Sequence, residues 1–122
     1  MATRVLEQAC NEVVLIGRVS RDPEEKELPS GDVLVAWSVI VDRPPSRRPV
    51  PEGTRPVTTD TLECVAWTAG VRRTAAAFAP GDVVRVQGAL HRRFWRGAAG
   101  PASKYEVEAA SVKRLARAQA SR

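Results

Sequence analysis

Short apolar runs separated by turn residues dominate this sequence and favour a chain of strands over a bundle of helices. The run from Val33 to Asp42 is the clearest, because its apolar side chains alternate along the chain. Alternation with a period of two places the following residues on one face of a strand: Val33, Val35, Trp37, Val39 and Val41. We therefore expect Trp37 to pack in a core.

Further strand signals stand on both sides of this run. Val13 to Ile16 is apolar and is followed by Gly17, and a glycine inside a strand often marks a bend or a bulge. Glu24 to Leu28 lies between two turn signals and reads either as a short strand or as irregular chain. Asp60 to Trp67 is the next strand, and Glu63 and Trp67 fall on its more polar face, which predicts contact with solvent or a ligand.

One helix interrupts the strands. Gly70 to Phe78 is rich in alanine and is ended by Pro80 and Gly81, a helix stop signal. Two more strands are expected after it, at Asp82 to Arg93 and at Tyr105 to Val112. Five strands with one helix between the third and the fourth is the order of an OB-fold. This five-stranded Greek-key barrel commonly binds oligonucleotides across its strand 2–3 face and its loops.

The segments between and after these strands are basic. The loop at residues 43–58 carries five prolines and four arginines with Glu52 as its only acid, and we expect it to be exposed because proline blocks strand pairing. Phe94 to Pro101 reads as a strand end that runs into a hairpin loop. Residues 115–122 form a short basic tail. We expect a single domain over residues 1–122, with its core at about 8–114.

Composition excludes several function classes. No segment approaches the roughly 20 apolar residues of a membrane span, and the first residues lack the apolar core of a signal peptide, so a cytoplasmic protein is expected. Cys10 and Cys64 have no metal-binding spacing, and His91 is the only histidine, so neither a metal nor a cofactor is predicted. Cys64 reads as a buried thiol. With no nucleophile motif or paired carboxylates, no enzyme is expected. The net charge of +5 favours polyanionic partners.

The order of several motifs adds a family resemblance. Asn11 to Val19 followed by Asp22-Pro23-Glu24 resembles the opening of bacterial single-stranded DNA-binding proteins. Pro29-Ser30-Gly31 matches the next turn of that family, Cys64 to Trp67 matches the end of its third strand, and Gly81 to Leu90 matches the strand after its helix. The resemblance implies sequence-tolerant binding of single-stranded DNA in replication, recombination or repair. It also implies self-association, most often as a homotetramer.

The resemblance also suggests which residues would contact DNA. Stacking on bases carries over to Trp67 and Trp95, and phosphate contact carries over to Arg93, with His91 and Arg18 as weaker candidates. The flanking sequence and the basic loop add the arginines Arg92, Arg96, Arg47 and Arg48.

The sequence departs from the family pattern at several positions. Two stacking positions, near Pro45 and at Thr61, lack an aromatic residue, and Glu12 and Glu63 stand where the archetypal member has basic residues. The chain ends on a basic segment where the family has an acidic tail, so no recruitment of partners through such a tail is expected. Two alternatives stay open: an OB-fold accessory protein of the primosomal type that acts through protein contacts, and an RNA-binding module.

Overall fold

The alternating run at residues 33–42 forms one long strand of a β-barrel. The structure is a computed structural model that describes residues 8–45 and 47–119. The elements in chain order are β1 (Val13–Val19), β2 (Glu24–Glu27), β3 (Val33–Asp42), β4 (Thr59–Ala66), α1 (Ala69–Ala76), β5 (Val83–Gly97) and β6 (Gly100–Ala116). The segment for which the sequence left two readings open is a strand, β2, and among the described strands it pairs with β3 alone.

The strands close on themselves through the two edges of β3. One edge pairs with β4, and the other pairs first with β2 and then with β1, where Arg18 lies opposite Ile40 and Val19 opposite Val39. The remaining order β1–β5–β6–β4 completes a five-stranded barrel with α1 between β4 and β5. The OB-fold prediction is therefore confirmed.

The core fills the barrel interior with the residues that the alternation selects. Trp37 is 3% exposed and meets the ring of Phe78 edge to face, with the ring centroids 6.0 Å apart. The Cys64 side chain is fully buried, and burial raises the pKa of its thiol to about 12. Both residues were expected in the core, and both predictions are confirmed.

The last two strands extend well beyond the barrel as a long hairpin. Pairing between β5 and β6 runs without a register shift from Leu90 opposite Val107 to Gly97 opposite Gly100. The hairpin expected at Phe94 to Pro101 is present, but the strands fill most of that segment, because only two alanines separate them and Gly100 adopts the positive φ of +120° that the turn needs. We call residues 90–97 and 100–107 the arm.

The Asn11 side chain, which precedes β1, holds the arm at its first residue, Leu90. The Asn11 amide donates from Nδ2 to the Leu90 carbonyl at 2.7 Å, and its Oδ1 accepts from the Leu90 amide at 2.9 Å. This two-way bond satisfies both polar backbone groups of Leu90 where the arm leaves the barrel.

At the other end of β5, a buried carboxylate joins three segments. Asp82 accepts from the backbone amides of Ala79 at 2.9 Å and Ala118 at 2.7 Å, and from Arg114 Nε at 2.9 Å. The two amides are the largest cause of the lowered pKa of Asp82. The carboxylate therefore ties the chain after α1 to the end of β6 and to the residues that follow it.

Candidate nucleic-acid interface

A cleft of about 90 Å³ lies on the outward face of β3 and β4, the face that does not contribute to the core. Its floor includes Leu34, Ala36 and Val65, and its walls come from the start of β2 on one side and from the arm on the other. Val35, Trp37 and Cys64 belong to the same two strands but point to the other side, into the core. This pair of strands therefore supplies both a core face and a cleft face.

Charges line this cleft in equal numbers of each sign. The basic residues are Arg21, Lys26, Arg93 and Lys104, and the acidic residues are Asp22, Glu24, Glu63 and Glu106. The Lys104 ammonium bonds to Glu63 Oε2, which holds the pKa of that carboxyl below its usual range even though partial burial opposes the effect. The surplus of positive charge in the chain therefore does not lie in the cleft.

Arg93 and Trp95 form an exposed pair on the arm beside the cleft. The Arg93 guanidinium lies 5.3 Å from the centroid of the Trp95 ring, and 42% of Trp95 is exposed. Arg93 Nε also lies 3.2 Å from Oε1 of Glu106, a carboxylate that is 5% exposed. The structure thus brings together two predicted site residues, and it shows that Arg93 also neutralises a buried acid.

His91 lies on the same face of the arm as Arg93 and Trp95. Its Nδ1 is 2.8 Å from Glu108 Oε2, in a contact that is an ion pair when the imidazole is protonated. All three basic side chains on this face of the arm therefore have a carboxylate partner, since Lys104 bonds to Glu63.

Arg92 points to the opposite face of the arm, although the sequence grouped it with Arg93. Its Nε and Nη2 donate to Ser103 Oγ at 3.2 and 3.1 Å. Its guanidinium lies 4.7 Å from the centroid of the Phe94 ring and 5.6 Å from that of Tyr105. Arg96 follows the same alternation and is exposed. The predicted cluster around Trp95 is therefore divided between two faces.

Trp67 lies far from Trp95. It follows the end of β4, is partly buried, and accepts a hydrogen bond from Arg72 Nη1 on its carbonyl oxygen. Val65 is level with Glu108 of β6, whereas Trp95 is opposite Ala102. Six residues of strand separate those two levels, which is roughly 20 Å, and Trp67 lies further still along the same direction. One base cannot contact both tryptophans.

Arg18 and the described arginines of the loop at residues 43–58 are not among the residues that line the cleft. Arg18 Nη1 is 3.4 Å from Asp42 Oδ1, near the point where β3 enters the loop. The loop is held at its base by Arg43, whose Nε and Nη2 donate to the two carboxylate oxygens of Asp60 at 2.8 and 2.7 Å. Arg47 and Arg48 lie in exposed bends of the loop.

Sequence reasoning missed three residues of the arm: Lys104, Phe94 and Tyr105. Their positions follow from the hairpin turn, because a two-residue connection at Ala98 and Ala99 fixes Lys104 opposite Arg93 and Tyr105 opposite Arg92. Ala98 and Ala99 carry no turn signal of their own, so the sequence does not give the length of the connection or the register that follows from it.

The described chain has neither a metal-binding cluster nor a helix that could span a membrane. Among residues 8–45 and 47–119, no group of three or more histidine, cysteine, aspartate or glutamate side chains is arranged to hold a metal ion. The one described helix, α1, has only 8 residues, and no helix in the described chain has the length and apolar character needed to cross a bilayer.

Known proteins are similar to this chain in sequence and in fold. The single-strand binding protein family matches residues 10–115. Single-stranded DNA-binding proteins from Oceanobacillus iheyensis and Thermotoga maritima are 33% and 32% identical, each over 74% of this chain and over 53% and 62% of their own. This chain thus spans about half the length of the curated relatives it matches. A structure described as Plasmodium falciparum SSB complex with ssDNA superposes with a TM-score of 0.68 at 25% identity, covering 87% of this chain and 93% of that one. The chain belongs to the single-strand binding protein family.

Proposed function

We propose that this protein binds single-stranded DNA without catalysing a reaction, by stacking bases on exposed aromatic rings and by contacting phosphates with basic side chains. Membership of the single-strand binding protein family and the likeness to a structure titled as an ssDNA complex support the ligand class. In the cell, such binding would support DNA replication, recombination or repair.

The observation that carries the proposal is the pair formed by Trp95 and Arg93. A tryptophan that is 42% exposed offers a flat face to any base, and a guanidinium 5.3 Å from its centroid lies within reach of the adjoining phosphate. The pair stands beside the cleft on the outward face of β3 and β4, which is the ligand face of OB-folds in general.

We propose Trp67 and Arg18 as further contacts along the DNA, together with His91 and the loop arginines Arg47 and Arg48. The levels of Trp67 and Trp95 are more than roughly 20 Å apart along the strands, which fits a bound strand of several nucleotides, in keeping with the roughly 4–16 nucleotides that one OB-fold covers. Trp37 has no place in this path, because it is 3% exposed.

We further propose that the chain forms a homo-oligomer, with the tetramer as the expected state. On the edge away from β5, β1 pairs with β3 only at Arg18 and Val19, so the residues from Val13 to Gly17 have no described strand neighbour there. Val14 and Ile16, on the outward face of this segment, are 47% and 54% exposed. An apolar strand with a free edge favours pairing with a second chain.

The first prediction tests stacking at Trp95. Replacing Trp95 with alanine should weaken binding to oligo-dT by about 5- to 150-fold at fixed salt, because stacking of one base contributes about 1–3 kcal/mol. The measurement is fluorescence anisotropy of a labelled oligonucleotide. The matched control is Arg73→Gln on α1, an exposed position away from the cleft, which should leave affinity close to that of the parent protein.

The results separate this function from its alternatives. Salt titration should give a slope of log affinity against log salt of roughly −2 to −4, from about three to five phosphate contacts. Equal affinity for duplex and single strands would contradict stacking, since paired bases hide their faces. Tighter binding to oligo-U than to oligo-dT would favour the RNA-binding alternative. No binding to any oligonucleotide would leave the accessory-protein alternative.

A further inference from the structure

The face of the arm opposite Trp95 carries an exposed cluster of aromatic and cationic side chains that the proposed function does not use. Phe94 is 67% exposed and Tyr105 is 61% exposed, and the Arg92 guanidinium lies 4.7 and 5.6 Å from their ring centroids. Leu90, 44% exposed, continues the cluster toward the barrel. We call these four residues the rear cluster. Large apolar side chains gathered on an exposed strand face favour a binding surface.

The two faces of the arm differ sharply in charge. On the Trp95 face, Arg93, His91 and Lys104 contact Glu106, Glu108 and Glu63 respectively. The rear face from Leu90 to Arg96 and from Pro101 to Tyr105 includes Arg92 and Arg96, and alternation places no carboxylate on it. Arg92 donates hydrogen bonds to a serine hydroxyl and lies over two aromatic rings, so its charge is not neutralised by an acid in these contacts.

A neutral hydrogen-bond partner also orients the arginine. Ser103 Oγ accepts from both Nε and Nη2 of Arg92, which fixes the guanidinium near the two rings, and Nη1 makes neither of these bonds. Exposed rings that flank a fixed guanidinium provide both of the contacts that a single-stranded nucleic acid needs, a flat surface for a base and a donor for the phosphate beside it.

We propose that the rear cluster is a second binding surface for single-stranded DNA, so that a bound strand passes around the arm and contacts both of its faces. The inference rests on the proposed function and assigns it a surface away from the cleft. The alternative occupants of this surface, an acidic protein or a second copy of this chain, would have to cover the same exposed rings. The absence of acids on the rear face from Leu90 to Arg96 and from Pro101 to Tyr105, together with exposed rings beside a guanidinium, favours DNA.

The test compares the two faces with oligonucleotides of two lengths. The variant Phe94→Ser/Tyr105→Ser should bind a short oligo-dT of roughly four nucleotides as the parent does, because one face suffices for that length. It should bind a 30-nucleotide oligo-dT about 5- to 150-fold more weakly.

Arg92→Gln should reduce the salt slope for the long oligonucleotide by about 0.7. Arg73→Gln on α1 is the matched control for loss of one arginine, and thermal unfolding confirms that each variant folds.

The outcomes distinguish the two proposals. If the parent protein binds no oligonucleotide of either length, the proposed function itself fails. If the parent binds and the double variant binds both lengths equally well, the rear cluster is not a DNA surface and this inference is overturned. A change in sedimentation of the free variant with unchanged DNA affinity also overturns it, because it assigns the cluster to contacts between copies of the chain. Photocrosslinking of the parent to a 5-iodouracil oligonucleotide should label Phe94 or Tyr105.

Discussion

At the scale of single residues, three basic groups of the candidate interface begin in contact with acids of the same chain. Arg93 pairs with Glu106, Lys104 with Glu63 and Arg18 with Asp42. A phosphate must compete with these carboxylates, so each contact contributes less to affinity than a lone cation would. The pairs are not equivalent, because Glu106 is buried and its Oε2 lacks a partner within the described chain, so removing Arg93 would leave a buried charge unpaired.

Glu63 offers the cleaner test of this competition, since its side chain is only partly buried. Glu63→Gln frees Lys104 for phosphate and should tighten binding to oligo-dT and steepen the salt slope by about 0.7. Anisotropy titrations over a series of salt concentrations measure both quantities. Glu27→Gln on β2 is the control with the same change in net charge outside the cleft lining. Equal gains in the two variants would mean that overall charge alone matters.

At the scale of elements, two glycines allow strands to approach more closely than side chains permit. A Cβ on Gly17 would collide with the Ile40 carbonyl oxygen, where β1 crosses β3 to close the barrel. A Cβ on Gly88 would collide with the Glu108 carbonyl oxygen, and the register of β5 and β6 shifts at this point. This bulge lies where the two strands leave the barrel, so it sets the start of the arm.

Gly88→Ala should therefore lower the free energy of unfolding by about 1–3 kcal/mol, because the new methyl meets backbone and not a movable side chain. Urea unfolding measures the change. Gly70→Ala is the matched control, since Gly70 lies in α1 with open space around it, and it should be neutral or stabilising by up to about 1 kcal/mol. A stable Gly88→Ala protein would show that the strands separate easily at the bulge.

At the scale of the whole molecule, Asp82 joins parts of the chain that are distant in sequence. Its carboxylate holds the turn after α1 through Ala79, β6 through Arg114, and the following segment through Ala118. The Arg114 guanidinium also donates to the Ala77 carbonyl, so the helix end and the last strand share one network. The segment after β6 is thereby fixed against the barrel.

This network predicts acid sensitivity of a definite sign. The pKa of Asp82 is lower in the folded protein than its ordinary value of 3.8, so its contribution to stability is complete above that value and is lost as the pH falls through the folded pKa. Asp82→Asn should lower the thermal unfolding midpoint by several degrees at pH 7, and the difference from the parent protein should shrink below about pH 4. A difference that is constant down to pH 2 would contradict this assignment.

The sequence predicted the barrel better than the binding surface, for physical reasons. The alternation at Val33 to Asp42 identified the core face and placed Trp37 on it, because successive side chains of a strand point to opposite faces and only one face is buried. The division of Arg92 from Arg93 depends on the arm continuing as a hairpin, which in turn depends on the conformation of Ala98 and Ala99. Those two residues carry no turn signal of their own, so the pairing of Arg93 with Glu106 and of Arg92 with Tyr105 lay beyond sequence reasoning.

The unequal surroundings of the two cysteines make this chain suitable for conjugation at one chosen site. Cys10 is exposed, whereas Cys64 is buried and its pKa of about 12 keeps it protonated, and only a thiolate reacts readily. A maleimide dye should therefore attach once to the native protein and twice after denaturation, as mass spectrometry would show. Two labels on the native protein would mean that the barrel opens around Cys64. Since Cys10 precedes the asparagine that fastens the root of the arm, a dye placed there would report directly on motion of the arm when a ligand binds.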